Sequence, residues 1–288
     1  MYDKKILKVN VKMKNKLYCS TGTIISRHNK YDYTLMNTVL SPIVKKLGLD
    51  GCEFMMLTAF YDKTDEIVEY MKTTDMVFPI LHAEKEIGVL ISEATDETDK
   101  EALRLFDVNC AFAEKLGAKR TVLHLWGGVV SDSRFEHNLT LVPKLCSIAE
   151  NHGIELNIEN IPCAAEDPIS HWEAIHSADS RARFIYDTRF GEFHRQNPSI
   201  PKHPLFESGL VTHMHISDFI GNPKEFQRLR PILHPGEGQI DFAAIFAAIK
   251  EAGYTGSVTL ESPVVHEDGS LDTEKLVNTL SFLKNSLA

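Results

Sequence analysis

Short apolar runs alternate with amphipathic segments from about Leu17 to Ser286, and the alternation repeats eight times with no Ser/Gly/Pro linker or break in composition. The runs are LYCSTGT, CEFMML, MVFPILH, RTVLHLW, IELNIEN, ARFIYD, VTHMHIS and GSVTLES, each of strand length. Between them stand segments of helical period, among them KEALRLFDVNCAFAEKLG, LVPKLCSIAENHG and DFAAIFAAIKEAG. Several stop at a glycine (Gly48, Gly117, Gly153, Gly253) just ahead of the next run, as a left-handed C-terminal cap requires. Eight such units predict an α/β fold, a single-domain (β/α)8 barrel of the TIM type over residues 17–288, in preference to an open sheet. Residues 1–16 precede the first strand and read as an N-terminal arm. The sixth unit offers only a short helix in HRQNPSIPKHPLFESG, and the loop NPKEFQRLRPILHPGEG after the seventh run is long. Loops of that length at the C-terminal end of a strand usually cover a site.

Alternation within the runs sorts the side chains. In ELNIEN, Leu156 and Ile158 share one face while Asn157 and Glu159 share the other; in SVTLES, Val258 and Leu260 oppose Thr259 and Glu261. The apolar face packs on the helices, so the polar face turns into the barrel near its rim, where catalytic groups of this architecture arise. Four residues end such runs: Glu159 in NIEN, Asp187 in FIYD, His215 in HMHI and Glu261 in VTLE. The first three follow one another at 28-residue intervals, close to the ~30 residues of one strand-plus-helix unit. Successive strands then deliver one group each. Three carboxylates and an imidazole meeting at one point would repel and desolvate one another without a divalent cation, so the pattern predicts a metal site.

Composition narrows the partners. With 43% apolar and 25% charged residues, 288 residues can bury one large core. The formal charge of −9 repels phosphate backbones, which makes nucleic acid a poor partner. Five cysteines, odd in number, widely spaced and without a C-x-x-C pair, read as reduced core thiols. No stretch approaches the roughly 20 apolar residues of a membrane span, and the charged start MYDKKILKVNVKMKNK lacks a signal peptide's apolar segment. The expected location is the cytoplasm. The segment DFAAIFAAIKEAG, apolar nearly all round, suggests a homo-oligomer.

The ordered motifs HAE at Glu84, HLWGG, NIEN, YDT, HISD, PGEGQIDF and LESP resemble those of the xylose isomerase-like TIM barrels. This superfamily holds sugar isomerases, ketose 3-epimerases, inosose-processing enzymes and apurinic endonucleases. The resemblance implies that Glu159, Asp187, His215 and Glu261 bind one Mn, Mg, Co or Zn ion. It also implies that the carbonyl and neighbouring hydroxyl of a carbohydrate meet that ion, and that Glu159 and Glu261 act as base and acid around an enediolate. His82 and His124 match two histidines that, with the first Glu, bind another zinc in the endonucleases; they can equally hydrogen-bond a loop carbonyl or a substrate hydroxyl. Trp126, on the face of His124, can cover a sugar ring or pack in the core. His213 shares a face with His215. Arg228, Arg230 and His234 can bind a phosphate or carboxylate, or belong to a solvated loop.

The chain also departs from the family. The further endonuclease ligands would fall at Phe190, Arg230 and Ile232, so a third metal is not expected. The epimerases' substrate-binding His and Arg would fall at Phe190 and Gly221, which leaves Arg189 or His194 to replace the missing contact. The primary expectation is a metal-dependent sugar isomerase or epimerase. The alternatives are a lyase or dehydratase on a keto-sugar or keto-inositol and, further off, a zinc phosphodiesterase. Glu53 ends no apolar run and is expected only as an interior polar contact, and Glu237 as a loop brace.

Overall fold

The structure is a computed structural model and describes residues 15–287. Apart from Asn15 and Lys16, the expected N-terminal arm lies outside the described residues. Eight parallel strands close into a barrel in chain order: β1 (Leu17–Ser20), β2 (Gly51–Met55), β3 (Ile80–His82), β4 (Arg120–Leu123), β5 (Glu155–Glu159), β6 (Arg183–Asp187), β7 (Val211–Ile216) and β8 (Ser257–Leu260). Closure comes from β1 pairing with β8, Tyr18 opposite Thr259. The predicted barrel and all eight strands are therefore present.

The strand faces divide as alternation requires. Leu156, Ile158, Val258 and Leu260 belong to the large core between the strands and the outer helices, whereas Tyr18, Ile80, Val122 and Ile185 form a small separate apolar cluster. The latter share their parity with Glu53, His82, His124, Asn157, Glu159, Asp187, His213, His215, Thr259 and Glu261. Beyond one apolar plug, the barrel interior is therefore lined with polar groups. Burial of the outer layer, at roughly 25 cal/mol per Å² of apolar surface, carries the folding energy and frees the interior for chemistry.

The helices used below are α1 (Ser41–Leu47), α2 (Thr64–Lys72), α3 (Glu86–Glu93), α4 (Asp96–Leu116), α5 (Phe135–Asn151), α6 (Pro168–Ala178), α7 (Thr188–Phe193), α8 (Pro204–Glu207), α9 (Phe242–Glu251) and α10 (Thr273–Ser286). The sixth unit is thin as predicted, with the short α7 and α8 in place of one long helix. On α9 the apolar character is one-sided: Phe242, Ile245, Phe246 and Ile249 are buried, and Ala243, Ala244 and Ala247 face out. All five cysteines are free and buried. Among the described residues, no helix is long and apolar enough to cross a membrane.

Two buried aspartates hold the loops at the C-terminal mouth by accepting backbone N–H groups. Asp218, just past β7, accepts from Gly236 and Gly238 at 2.9 Å and from Ile240 at 3.1 Å, folding the long seventh loop back. Asp132 accepts from Ala164, Ala165 and Glu166 at 2.6–2.9 Å and meets His171 Nε2 at 2.9 Å. It ties the loop after β4 to the loop after β5.

Helix α3, which the periodicity did not single out, lies against the end of β4. A Cβ on Gly88 would stand 2.5 Å from the His124 carbonyl oxygen and 2.7 Å from that of Trp126. Both are backbone atoms, so the clash cannot be relieved by a side-chain rotation. Gly88→Ala should destabilise the protein by about 1–3 kcal/mol from overpacking, against the ~1 kcal/mol that alanine gains over glycine in a helix. Urea unfolding checks the sign: a net stabilisation would show that this packing is slack.

Candidate metal centre

Strands β5 to β8 each end in one member of a buried cluster. Ligand atoms of Glu159, Asp187, His215 and Glu261 lie within 4.8 Å of one another. Glu159 is the hub: its Oε1 is 2.7 Å from His215 Nδ1 and its Oε2 is 2.7 Å from His124 Nε2, with His82 Nε2 at 3.6 Å. Glu261 Oε1 is 3.4 Å from His215 Nδ1. Asp187 caps α7 by accepting from the Phe190 N–H at 2.8 Å through Oδ1. Asn160 clamps its backbone, accepting from the Asp187 N–H at 2.6 Å and donating to its carbonyl at 3.1 Å.

The charges are balanced through these contacts. Burial opposes ionisation of Glu159, yet His215, His124 and His82 outweigh it and hold the carboxyl well below its usual range. Burial likewise opposes a charge on His215, but Glu261, Glu53 and Glu159 raise its pKa well above the ordinary imidazole value. Asp187 has no such rescue. Burial lifts its carboxyl to about 7, Glu159 and Glu261 add to the shift, and Arg189 and His215 oppose it. Asp187 Oδ2, Glu261 Oε1 and His82 Nε2 are buried without a hydrogen-bond partner. An unsatisfied buried polar atom costs roughly 1–3 kcal/mol and more when charged, so three of them around one point fit a divalent cation. Three carboxylates and one imidazole suit Mn, Mg, Co or Zn alike.

Glu53 is the residue that sequence reasoning underrated. Its side chain rises from β2 inside the barrel, fully buried, and meets His215 Nε2 at 3.1 Å and His213 Nε2 at 2.8 Å. A carboxylate there keeps the Nε2–H on His215 and turns Nδ1 toward the cluster. Its position between outward-facing Cys52 and Phe54 was the available signal. His213 shares Glu53 with His215 and lies beside it, its ring centroid 5.0 Å away, while its Nδ1 is 2.7 Å from Ser257 Oγ.

His82 and His124 form a second constellation with Glu159, all ligand atoms within 4.8 Å. His82 Nδ1 donates to the Ala83 carbonyl at 2.8 Å, which fixes the ring with Nε2 toward Glu159. Burial lowers His124 to about 3, with Glu159 opposing. The cluster of Asp132, Cys163 and His171 differs, because Asp132 is already saturated by backbone donors.

Three residues named as candidate substrate contacts are engaged elsewhere in this structure. Trp126 is fully buried, donates from Nε1 to the Pro162 carbonyl at 3.0 Å and packs on Phe135 and His171. His194 Nε2 accepts from the Cys163 N–H at 3.0 Å. His234 spans Thr279 Oγ1 at 2.9 Å and the Pro263 carbonyl at 3.1 Å. Each had a polar or aromatic tip that a neighbouring loop needed. Arg189 is buried beside Asp187, donating to the Leu229 carbonyl at 2.9 Å. Arg230 and Glu261 line a cavity of about 460 Å³ that opens beside the cluster. Glu237 braces the seventh loop through the His234 N–H and Lys275.

A closed parallel barrel with a buried carboxylate and imidazole cluster at its C-terminal mouth defines a class of barrel proteins built to gather ligands from several strands. Within it, this chain belongs to the xylose isomerase-like TIM-barrel family, whose profile matches residues 42–285. It is similar in fold to the IolI protein crystallised with a zinc atom (TM-score 0.69, 19% identity, 94% of this chain and 97% of that one). It is also similar to an L-ribulose 3-epimerase (0.71, 15%, 95% and 95%) and to a 3-keto-D-glucoside 4-epimerase from E. coli (0.66, 16%, 94% and 100%). A curated relative, an uncharacterised protein of Methanocaldococcus jannaschii, is 27% identical over 151 residues; the match spans half of this chain and 48% of that relative.

The Asp187 shift has a signed consequence. Its folded value of about 7 lies above the roughly 3.9 of an unfolded aspartate, so the folded state keeps a proton that the unfolded state loses. In EDTA, this group's contribution to stability should therefore be present below about pH 4 and fall as pH rises toward 7. Asp187→Asn should remove that part of the slope in urea unfolding at pH 5, 6 and 7; an unchanged slope would show that Asp187 is ionised throughout.

Proposed function

We propose that this protein is a metal-dependent sugar isomerase or epimerase that moves a proton on a carbon next to a carbonyl by way of an enediolate. The observation that carries the reading is the four-residue cluster, with unpartnered buried oxygens on Asp187 and Glu261. Glu159, Asp187, His215 and Glu261 would hold the ion, with the His215 ring set by Glu53. When bound, a divalent cation polarises the carbonyl and its neighbouring hydroxyl and offsets the negative charge that develops on oxygen. The names of the neighbouring structures, among them an L-ribulose 3-epimerase and a D-allulose 3-epimerase in complex with D-allulose, support a small carbohydrate as substrate.

The two glutamates are not equivalent. Glu261 lines the cavity, so with its buried Oε1 turned to the ion the carboxylate is the group placed to take a proton from a carbon entering from that side. Glu159 stands deeper, its oxygens held by His215 and His124. It is suited to deliver or accept the proton at the opposite face, with the imidazoles sharing the charge change. The buried, unpartnered His82 Nε2 favours a second cation held by His82, His124 and Glu159 as an additional reading. A lyase or dehydratase would use the same first proton abstraction and differs in its products. A zinc phosphodiesterase is disfavoured by Phe190, Arg230 and Ile232 at the places of its further ligands.

Two measurements bear on this reading. With Mn²⁺ present, the protein should exchange solvent deuterium into a carbon-bound position of a ketose or keto-inositol, and Glu261→Gln should slow exchange by 10²-fold or more. Absence of exchange across a broad panel of such sugars would refute the proposal. Separately, Glu53→Gln should weaken Mn²⁺ binding about 10- to 100-fold in titration calorimetry, as loss of a ligand's hydrogen-bonded carboxylate does elsewhere. An unaltered affinity would remove Glu53 from the site.

A further inference from the structure

His213 is fully buried inside the barrel and takes no part in the chemistry described above. Its neighbours form one line. Arg120, at the start of β4, donates to Ser257 Oγ at 3.4 Å, Ser257 Oγ lies 2.7 Å from His213 Nδ1, and His213 Nε2 lies 2.8 Å from Glu53 Oε2. The same oxygen of Glu53 meets His215 Nε2 at 3.1 Å, and His215 Nδ1 faces Glu159 at 2.7 Å. The line runs from the N-terminal end of the barrel, where Ser257 and Arg120 border a cavity of about 290 Å³, to the cluster at the C-terminal mouth. Strand register builds it, because His213 on β7 stands opposite Ser257 on β8.

The line has a direction. A guanidinium can only donate, so the Ser257 oxygen accepts from Arg120 and its hydroxyl hydrogen is left for His213 Nδ1. His213 then carries its proton on Nε2 and donates to Glu53, whose carboxylate can only accept. Glu53 is gripped through one oxygen. Its Oε2 takes both imidazoles, whereas Oε1, also 3.1 Å from His215 Nε2, is out of line for a hydrogen bond and has no partner. Without the Ser257 hydroxyl, His213 is free to move its proton to Nδ1. An Nε2 lone pair would then face the carboxylate and turn it away from His215.

Stability does not account for this polar column. Ser257, His213 and Glu53 are all buried and stand beside the apolar plug, with the Tyr18 ring 6.3 Å from that of His213. Apolar side chains of similar volume are often as stabilising as a buried ionic group, or more so, so the column points to the group on which it ends. We infer that Ser257 and His213 are positioning residues for the metal centre: acting through Glu53, they hold the His215 ring with Nδ1 presented to the ion. The inference rests on the metal-binding reading and extends it to the opposite end of the barrel. Hydrogen-bonded partners behind a metal-ligating histidine fix its tautomer and ring orientation, and here that support continues through two further side chains.

Titration calorimetry with Mn²⁺ tests this without requiring turnover. Ser257→Ala should weaken Mn²⁺ binding by about threefold to tenfold, less than Glu53→Gln because it acts from further behind the ligand. Ser257→Thr, which keeps the hydroxyl, should restore the affinity to within about twofold of the wild type. A double-mutant cycle separates positioning from a merely structural role: in the Glu53→Gln background, Ser257→Ala should weaken binding by less than about twofold more, since the route to His215 is already cut. An unchanged Mn²⁺ affinity in Ser257→Ala overturns the inference. So does a loss that Ser257→Thr fails to restore, or one that multiplies in full with that of Glu53→Gln. Should the wild-type protein bind no Mn²⁺, the metal-binding reading falls and takes this inference with it; a wild type that binds Mn²⁺ beside an unaffected Ser257→Ala removes the positioning role alone.

Discussion

The structure depends on keeping negative charge stable in a place without water. Glu159, Asp187 and Glu261 converge at the mouth of a barrel whose walls exclude solvent, where a bare carboxylate is far costlier than at the surface. The imidazoles make it tolerable: His215 and His124 each stand 2.7 Å from an oxygen of Glu159, and Glu53 supports His215 from below. Protonation supplies the remaining compensation, since the Asp187 carboxyl is raised to about 7. A cation would replace that proton and bring the unpartnered oxygens into use.

Such an interior is affordable only because the fold's stability comes from elsewhere. The continuous apolar layer between strands and helices runs around the barrel, while the apolar contribution of the interior is reduced to Tyr18, Ile80, Val122 and Ile185. The loops that carry the mouth are fixed by a different device. Asp218 and Asp132 each gather several backbone N–H groups of a loop that has no ladder of its own. Charge-assisted hydrogen bonds of this kind are about twice as strong as neutral ones. They let an irregular loop hold a side chain such as Arg230 at a defined place.

Period and spacing were sufficient for the strands, the barrel and the four strand-end residues, because those features are local: alternation decides which way Glu159 and Glu261 point, and chain order decides which strands are neighbours. Glu53 was harder to read. Its strand parity put it inside, but its importance comes from His213 and His215, about 160 residues away, and no local pattern encodes that meeting. Trp126, His194 and His234 were ambiguous for the complementary reason. Their chemistry suits a sugar, but it suits a backbone carbonyl or amide equally well, and which of these lies within reach is decided by how the loops after β4, β5 and β8 fold over one another.

The same geometry separates the jobs of stability and chemistry within one side chain. On Glu159, both oxygens are held by histidines: Oε1 by His215, itself anchored by Glu53, and Oε2 by His124. Its position is therefore determined before any ligand arrives, and its charge is spread over neighbours that can absorb a change. Glu261 has one imidazole within ion-pair distance, His215 at 3.4 Å, with His82 further off, and it faces the cavity. It bears less of the cluster's order and has more freedom to respond to an incoming carbon acid. On the proposed reading, a rigid, shared carboxylate and a freer one would suit a reversible proton shift, the first defining the geometry while the second exchanges the proton.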